Sequence, residues 1–154
     1  MKKLLLALCP ILLLAAAAQA ADNFLGTWTL NVAKSKYVAG TPNKSGTTKI
    51  EAAGAGVKVT VDSVGGDGTK RHWTYTANAD GKDVPITGNN PYGDVVSMTR
   101  VDANTTRQTY KKAGKVTTTQ TSAVSADGKT RTVTNKGTDA RGQAIDAVAI
   151  YERQ

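Results

Sequence analysis

Catalytic chemistry has few candidate residues in this sequence. His72 is the one histidine, and it stands on the polar side of a strand-like run, opposite Trp73. No carboxylate can be argued near it from the sequence, so a Ser-His-Asp set is not indicated. The twelve acidic residues include several in turns, and the others form no close pair suited to acid–base work. We therefore expect a protein that is not an enzyme.

A metal centre or an organic cofactor is also not expected. A zinc site needs a cluster of histidine or cysteine ligands. The chain has one histidine, and its one cysteine, Cys9, falls in the predicted leader described below. The loop over residues 89–94 has too few acidic side chains for a calcium site.

Aromatic and arginine side chains that share strand faces give the best lead to a function. Residues two apart in a strand point to the same side of a sheet. Inward-facing rings could hold the apolar part of a small molecule, and an arginine could bind a carboxylate with two hydrogen bonds. The predicted ligand-binding residues are Trp73, Tyr75, Met98, Arg100 and Tyr110.

Arg100 is the preferred anchor for an anionic group because it continues the face of Met98. Arg71 adjoins a turn, and Arg107 and Arg131 share faces mainly with Thr, Lys or Asn. The opposite face of the Arg100 run is also apolar, so its orientation stays open. An inward arginine would keep its charge and would need an anionic partner, which an acidic ligand supplies.

The elements that would carry these residues are β-strands. Turn signals such as Asp80-Gly81 recur about every 11 to 14 residues, and Asp-Gly pairs tolerate the positive φ of tight hairpins. Between them, runs such as 57–64 alternate apolar and polar residues with period two. A short helix or turn could form only over residues 32–46. We predict ten strands, over residues 24–31, 47–53, 57–64, 69–78, 82–87, 95–101, 105–112, 115–124, 129–137 and 143–153.

Hairpin-connected strands in sequence order can form an open sandwich or a closed barrel. A barrel is favoured because closure removes the exposed strand edges. The predicted fold class is all-β, an antiparallel up-and-down β-barrel of eight to ten strands. Filled and hollow barrels share one alternation pattern, but few side chains here are bulky and a ten-stranded barrel is wide, which favours a cavity.

The first 20 residues have the pattern of a secretory signal peptide. Two lysines precede an apolar run, and Ala18-Gln19-Ala20 matches a small-x-small cleavage site. Cleavage would leave residues 21–154 as one domain with no cysteine and with 18 basic against 12 acidic side chains. We expect a secreted or periplasmic protein, with the choice between the two open.

The positive charge allows weak attraction to an anionic cell-envelope surface. Nucleic acid is not an expected partner, because the basic hairpins lack interleaved aromatic residues. A membrane span is not expected either, since residues 105–124 are mostly Thr, Lys and Gln. We expect a monomer.

Two short segments resemble a known superfamily. Gly26-Thr27-Trp28 resembles the Gly-x-Trp signature of the calycins, which include the lipocalins and fatty-acid-binding proteins. The segment 150–153 is similar to their last strand, which lays a cationic side chain across that tryptophan. The resemblance implies a lipocalin-like, small secreted bacterial protein whose barrel is closed at one end by Trp28 and Arg153. The chain lacks the Thr-Asp-Tyr motif, the usual disulfide and a clear helical lid, which leaves the ligand class open.

These observations predict a secreted or periplasmic binding protein that holds a small hydrophobic or amphipathic ligand inside a β-barrel. The alternative is a basic envelope interaction protein or inhibitor whose barrel core is filled.

Overall fold

The computed structural model describes residues 22–154, so the expected signal peptide over residues 1–20 lies outside the described residues. In this described part of the chain, eleven antiparallel strands join in one sheet. Between residues 22 and 154, no helix is long and apolar enough to cross a membrane. The strands are β1 (Gly26–Ala39), β2 (Asn43–Ala53), β3 (Gly56–Gly65), β4 (Lys70–Ala77), β5 (Asp80–Pro85), β6 (Thr87–Gly88), β7 (Val95–Asp102), β8 (Thr105–Lys112), β9 (Lys115–Val124), β10 (Thr130–Thr138) and β11 (Ala144–Arg153).

The sheet curls into a nearly closed barrel. Its strand order is β5-β7-β8-β9-β10-β11-β1-β2-β3-β4-β6, so the two ends of the sheet are β5 and β6, which are consecutive in the chain. The predicted count of eight to ten strands is corrected to eleven, because the run predicted as one strand over 82–87 divides at Ile86. Before this residue the chain pairs with β7, and after it the chain pairs with β4.

The seam between β4 and β6 is short. Two register pairs hold it, Trp73 with Gly88 and Thr74 with Thr87. Asn89 extends the seam, because its backbone N–H donates to the His72 carbonyl at 3.0 Å and its side-chain oxygen accepts from the His72 N–H at 2.6 Å. The rest of β4 has no ladder with β5, so this is the weakest part of the wall.

The segment over residues 32–46 is mainly strand, not the short helix or turn that the sequence allows. β1 continues to Ala39 and β2 begins at Asn43. A bulge between Asn31 and Lys36 interrupts the pairing of β1 with β11. The Ser35 hydroxyl lies at this bulge, where it donates to the Asn31 carbonyl at 2.7 Å and accepts from the Ile150 N–H at 3.0 Å. The bulge breaks the regular alternation of apolar and polar residues, so the sequence pattern does not predict a strand here.

One end of the barrel is closed by Trp28 and Arg153. Trp28 is fully buried, and its indole N–H donates to the Phe24 carbonyl at 2.9 Å. The guanidinium carbon of Arg153 lies 4.3 Å from the centre of the Trp28 ring, and Arg153 Nε donates to the Gly128 carbonyl at 2.6 Å. Gly26 has a φ of +127°, and a Cβ there would stand 2.7 Å from Arg153 Nη1. The Gly-x-Trp spacing therefore leaves room for the arginine that covers the tryptophan.

Candidate ligand-binding site

Two adjacent cavities lie between the closed end and the opposite, open end of the barrel. The mouth cavity, of about 100 Å³, is bordered by the loops at the open end and includes Tyr37, Arg71 and Arg141. The inner cavity, of about 40 Å³, lies deeper and reaches Arg131. Both cavities are lined by the same six residues at their junction: Asn43, Ser63, Trp73, Tyr92, Asn135 and Tyr151. We refer to the two adjacent cavities together as the shaft.

Arg131 stands at the bottom of this shaft and is only 5% exposed. It is the second residue of β10, and its Nε donates to the Ser122 hydroxyl at 2.7 Å. Its guanidinium carbon lies 5.4 Å from the centre of the Tyr151 ring, but Nη1 has no hydrogen-bond partner in the described part of the chain. No acidic side chain among residues 22–154 forms an ion pair with it. The interior thus contains a cation with a hydrogen-bond donor, Nη1, that is available to a ligand.

The groups around Arg131 are polar but uncharged. Burial lowers the pKa of Arg131, while nearby tyrosines act in the opposite direction, and an arginine remains protonated at neutral pH. Burial also raises the pKa of Tyr75 and of Tyr110, so both hydroxyls stay neutral. Gln120 Nε2 donates to Gln108 Oε1 at 3.4 Å in the same wall. None of these neighbours supplies the negative charge that would balance the guanidinium.

The structure brings four of the five predicted ligand-binding residues into the interior. Trp73, Tyr75 and Tyr110 are buried and line the inner cavity. Met98 is buried nearer the closed end, where it and Tyr75 line a third, smaller cavity of about 20 Å³.

Arg100 is not brought into the shaft. It continues the face of Met98, as expected, but lies near the end of β7, where Phe24 covers the barrel. Its guanidinium carbon is 5.3 Å from the centre of the Phe24 ring, and Nη2 is 2.7 Å from Asp22 Oδ2. Its side chain is 36% exposed, and its charge is already paired.

Arg131, and not Arg100, is the arginine inside the barrel. One feature of the sequence could have indicated this. Arg131 shares its strand face with Val133 and Asn135, and all three are buried. An apolar residue at that spacing indicates an inward face, which the surrounding threonines obscure.

The charges at the mouth are paired with one another. Arg141 Nη2 lies 3.0 Å from Asp139 Oδ2, and Arg71 Nη2 lies 3.6 Å from Asp67 Oδ2. Burial alone would raise the pKa of the Asp139 carboxyl, but hydrogen bonds from the Gln143 and Arg141 N–H groups and the Arg141 guanidinium lower it below its ordinary value. The mouth is therefore electrostatically balanced, unlike the bottom of the shaft.

His72 lies on the outer wall of the barrel. Its Nδ1 is 2.7 Å from Asp62 Oδ1, a neighbour on β3 that the sequence does not suggest, and both side chains are exposed. Within residues 22–154, no group of three or more His, Cys, Asp or Glu side chains is arranged to hold a metal ion.

Comparisons with known proteins support the architecture. No family model matches the chain, and no curated protein matches it. Among solved structures, it is similar to that of a protein named "REP1-NXSQ fatty acid transporter", with a TM-score of 0.58 and 16% identity. The match covers 87% of this chain and 98% of the other. At this identity the similarity shows the fold alone.

Proposed function

We propose that this chain is a secreted or periplasmic binding protein of calycin-like fold that holds a small acidic amphiphile inside its barrel. The observation that carries the proposal is Arg131, a buried guanidinium at the bottom of the shaft that has no acidic partner in the part of the chain that the structure describes. The carboxylate of the ligand binds Arg131, and its apolar chain runs toward Trp73 and the mouth. Catalysis forms no part of this function.

The energetics of burial favour an anionic ligand. Removing an unpaired charge from water costs several kcal/mol, which a folded protein must offset elsewhere. A carboxylate would restore charge balance and would accept hydrogen bonds from guanidinium N–H groups such as Nη1, which has no partner. Arg131 is thus better explained by a ligand than by the stability of the barrel.

The cavity volumes limit the size of this ligand. A buried water molecule needs a cavity volume of roughly 10–15 Å³. Cavities of about 40 and 100 Å³ therefore have room for on the order of ten non-hydrogen atoms. An acid of the size of octanoic acid fits this space, whereas a long-chain acid would have to displace side chains.

The structurally similar protein is named a fatty acid transporter, which agrees with an acidic amphiphile as the ligand class. The leader-like pattern of residues 1–20 supports export.

The proposal is tested by titrating octanoic acid and its neutral analogue octanamide into the protein and following tryptophan fluorescence. Arg131→Met should weaken the binding of octanoic acid by about 10- to 100-fold, the usual contribution of a hydrogen bond to a charged group. It should change the binding of octanamide little. Arg107→Met, which removes an exposed arginine from the outer wall, is the matched control and should change neither. Equal losses for both compounds in Arg131→Met, or no saturable signal with the unaltered protein, would contradict the proposal.

The small cavities also favour the second candidate function, a basic envelope interaction protein or inhibitor with a nearly filled core. In that case surface charge rather than the interior would bind the partner. Native mass spectrometry of the protein from its source separates the two, because a bound small molecule supports the first function and a bound macromolecule supports the second.

A further inference from the structure

The junction between the inner and mouth cavities contains residues with three buried polar atoms that find no hydrogen-bond partner among residues 22–154. These atoms are Ser63 Oγ, Trp73 Nε1 and Asn135 Oδ1. Their residues are 8%, 6% and 6% exposed, respectively. All three residues line both cavities, so they border the passage where the two cavities meet. We call these three residues the polar ring.

The ring is built from two separate parts of the wall. Ser63 on β3 and Trp73 on β4 are diagonal neighbours, because Ser63 pairs with Arg71 and Val61 pairs with Trp73. Asn135 lies on β10, which three strands, β11, β1 and β2, separate from β3. The ring therefore surrounds the passage rather than forming one patch on its side.

The three groups differ in what they can bond. An indole N–H only donates, an amide oxygen only accepts, and a hydroxyl can do both. A ligand hydroxyl matches this set, since its oxygen can accept from Trp73 while its proton goes to Asn135 or Ser63. A saturated chain would leave all three groups unsatisfied, which is unfavourable in a buried site. None of the three is charged, so the ring selects a neutral group and differs in kind from Arg131.

We propose that the polar ring of Ser63, Trp73 and Asn135 is a second recognition site in the shaft, which selects acids that carry a hydroxyl group on their chain over the corresponding saturated acids. This inference rests on the proposed function, in which the carboxylate lies at Arg131. The ligand class is then a small hydroxy acid, held by its charge at the bottom of the shaft and by its hydroxyl at the ring.

The experiment compares octanoic acid with hydroxyoctanoic acids whose hydroxyl stands on successive carbons, by isothermal titration calorimetry. One position of the hydroxyl should improve affinity by about 10-fold or more, because it satisfies groups that the saturated acid leaves unpaired. The variants are Ser63→Ala, Trp73→Phe and Asn135→Leu, each of which removes a polar group. Each should reduce the preference for the hydroxy acid, and Ser63→Ala and Asn135→Leu should leave the affinity for octanoic acid as strong as before or stronger. Thr76→Val, on the exposed face of β4, is the control and should preserve the preference.

The outcomes separate this inference from the proposed function. If octanoic acid binds and Arg131→Met weakens its binding, but no hydroxy acid binds better, then the role of Arg131 in binding the carboxylate is supported and the second recognition site is overturned. A preference that survives in all three ring variants would also overturn the second site. If no acid binds the unaltered protein, both proposals fail. Because the comparison of ligands uses the unaltered chain, an unfolded variant would not remove the test.

Discussion

At the scale of single residues, two arginines on the inner side of the barrel play opposite parts. Arg153 covers Trp28 and donates to backbone carbonyls, including that of Asn23 at 2.6 Å, so its hydrogen-bonding capacity serves the fold. Within residues 22–154, the Arg131 side chain makes one hydrogen bond, and its Nη1 has no partner. The first is a structural contact, and we assign the second to binding.

The closed end should therefore dominate stability. We expect Trp28→Ala to lower the free energy of unfolding by roughly 3 to 5 kcal/mol, the usual cost of emptying a large aromatic site. Arg153→Ala should cost less, since the tryptophan stays packed among its other neighbours. Urea unfolding followed by circular dichroism measures both. A Trp28→Ala variant as stable as the parent would show that this end does not hold the barrel together.

Asp139 makes the free energy of unfolding depend on pH, and the direction of this dependence follows from its lowered pKa. Its pKa is lowered in the folded state, so its ionised form stabilises the protein above the unfolded-state pKa. This stability is lost as pH falls from that value through the lower folded-state pKa. The difference in unfolding free energy between the parent and Asp139→Asn should therefore be largest near neutral pH and shrink in acid. Asp102→Asn, at the exposed end of β7, is the control and should show a smaller difference. A difference that does not depend on pH would contradict the assignment.

At the scale of elements, closure of the barrel depends on the shortest strand. β6 joins β4 through two register pairs, and Gly88 makes this possible. Its φ is +104°, and a Cβ at this position would lie 2.1 Å from the His72 carbonyl oxygen. The backbones approach so closely that no side chain fits between them.

We predict that Gly88→Ala opens the seam between β4 and β6. It should destabilise the protein by more than Gly114→Ala, because Gly114 also has a positive φ, +77°, but a Cβ there would meet no atom within 4 Å. Hydrogen exchange of the Asn89 amide, which donates to His72, should increase in Gly88→Ala alone. Equal effects of the two substitutions would show that only backbone strain matters at Gly88.

At the scale of the whole molecule, regular alternation and Asp-Gly turns are enough to predict an antiparallel barrel. The β1 bulge and the division at Ile86 cannot be predicted, since both depend on which strand lies alongside. The arginine that faces the interior cannot be predicted from the sequence for the same reason. The sequence does not show that Phe24 covers the barrel beside Arg100, nor that Arg131 faces Tyr75 and Tyr110 across the interior.

Export is a further prediction for the whole chain. If residues 1–20 form a cleaved leader, the protein recovered from the envelope or the medium should begin at Ala21, because Ala18-Gln19-Ala20 offers the cleavage site. Intact-mass measurement decides this. A mass that retains the first 20 residues, or one raised by acyl groups on Cys9, would count against it.

The central claim is that Arg131 is kept for a ligand at the expense of stability. The most direct measurement is the thermal midpoint of the parent and of Arg131→Met, each with and without octanoic acid. Without acid, we expect Arg131→Met to be at least as stable as the parent, since it replaces an unpaired buried charge with an apolar side chain. With acid, the midpoint of the parent should rise and that of Arg131→Met should rise much less, because a ligand that binds the folded state more weakly stabilises it less. A strongly destabilised Arg131→Met whose midpoint rises with acid as much as that of the parent would contradict the claim and make Arg131 a structural residue.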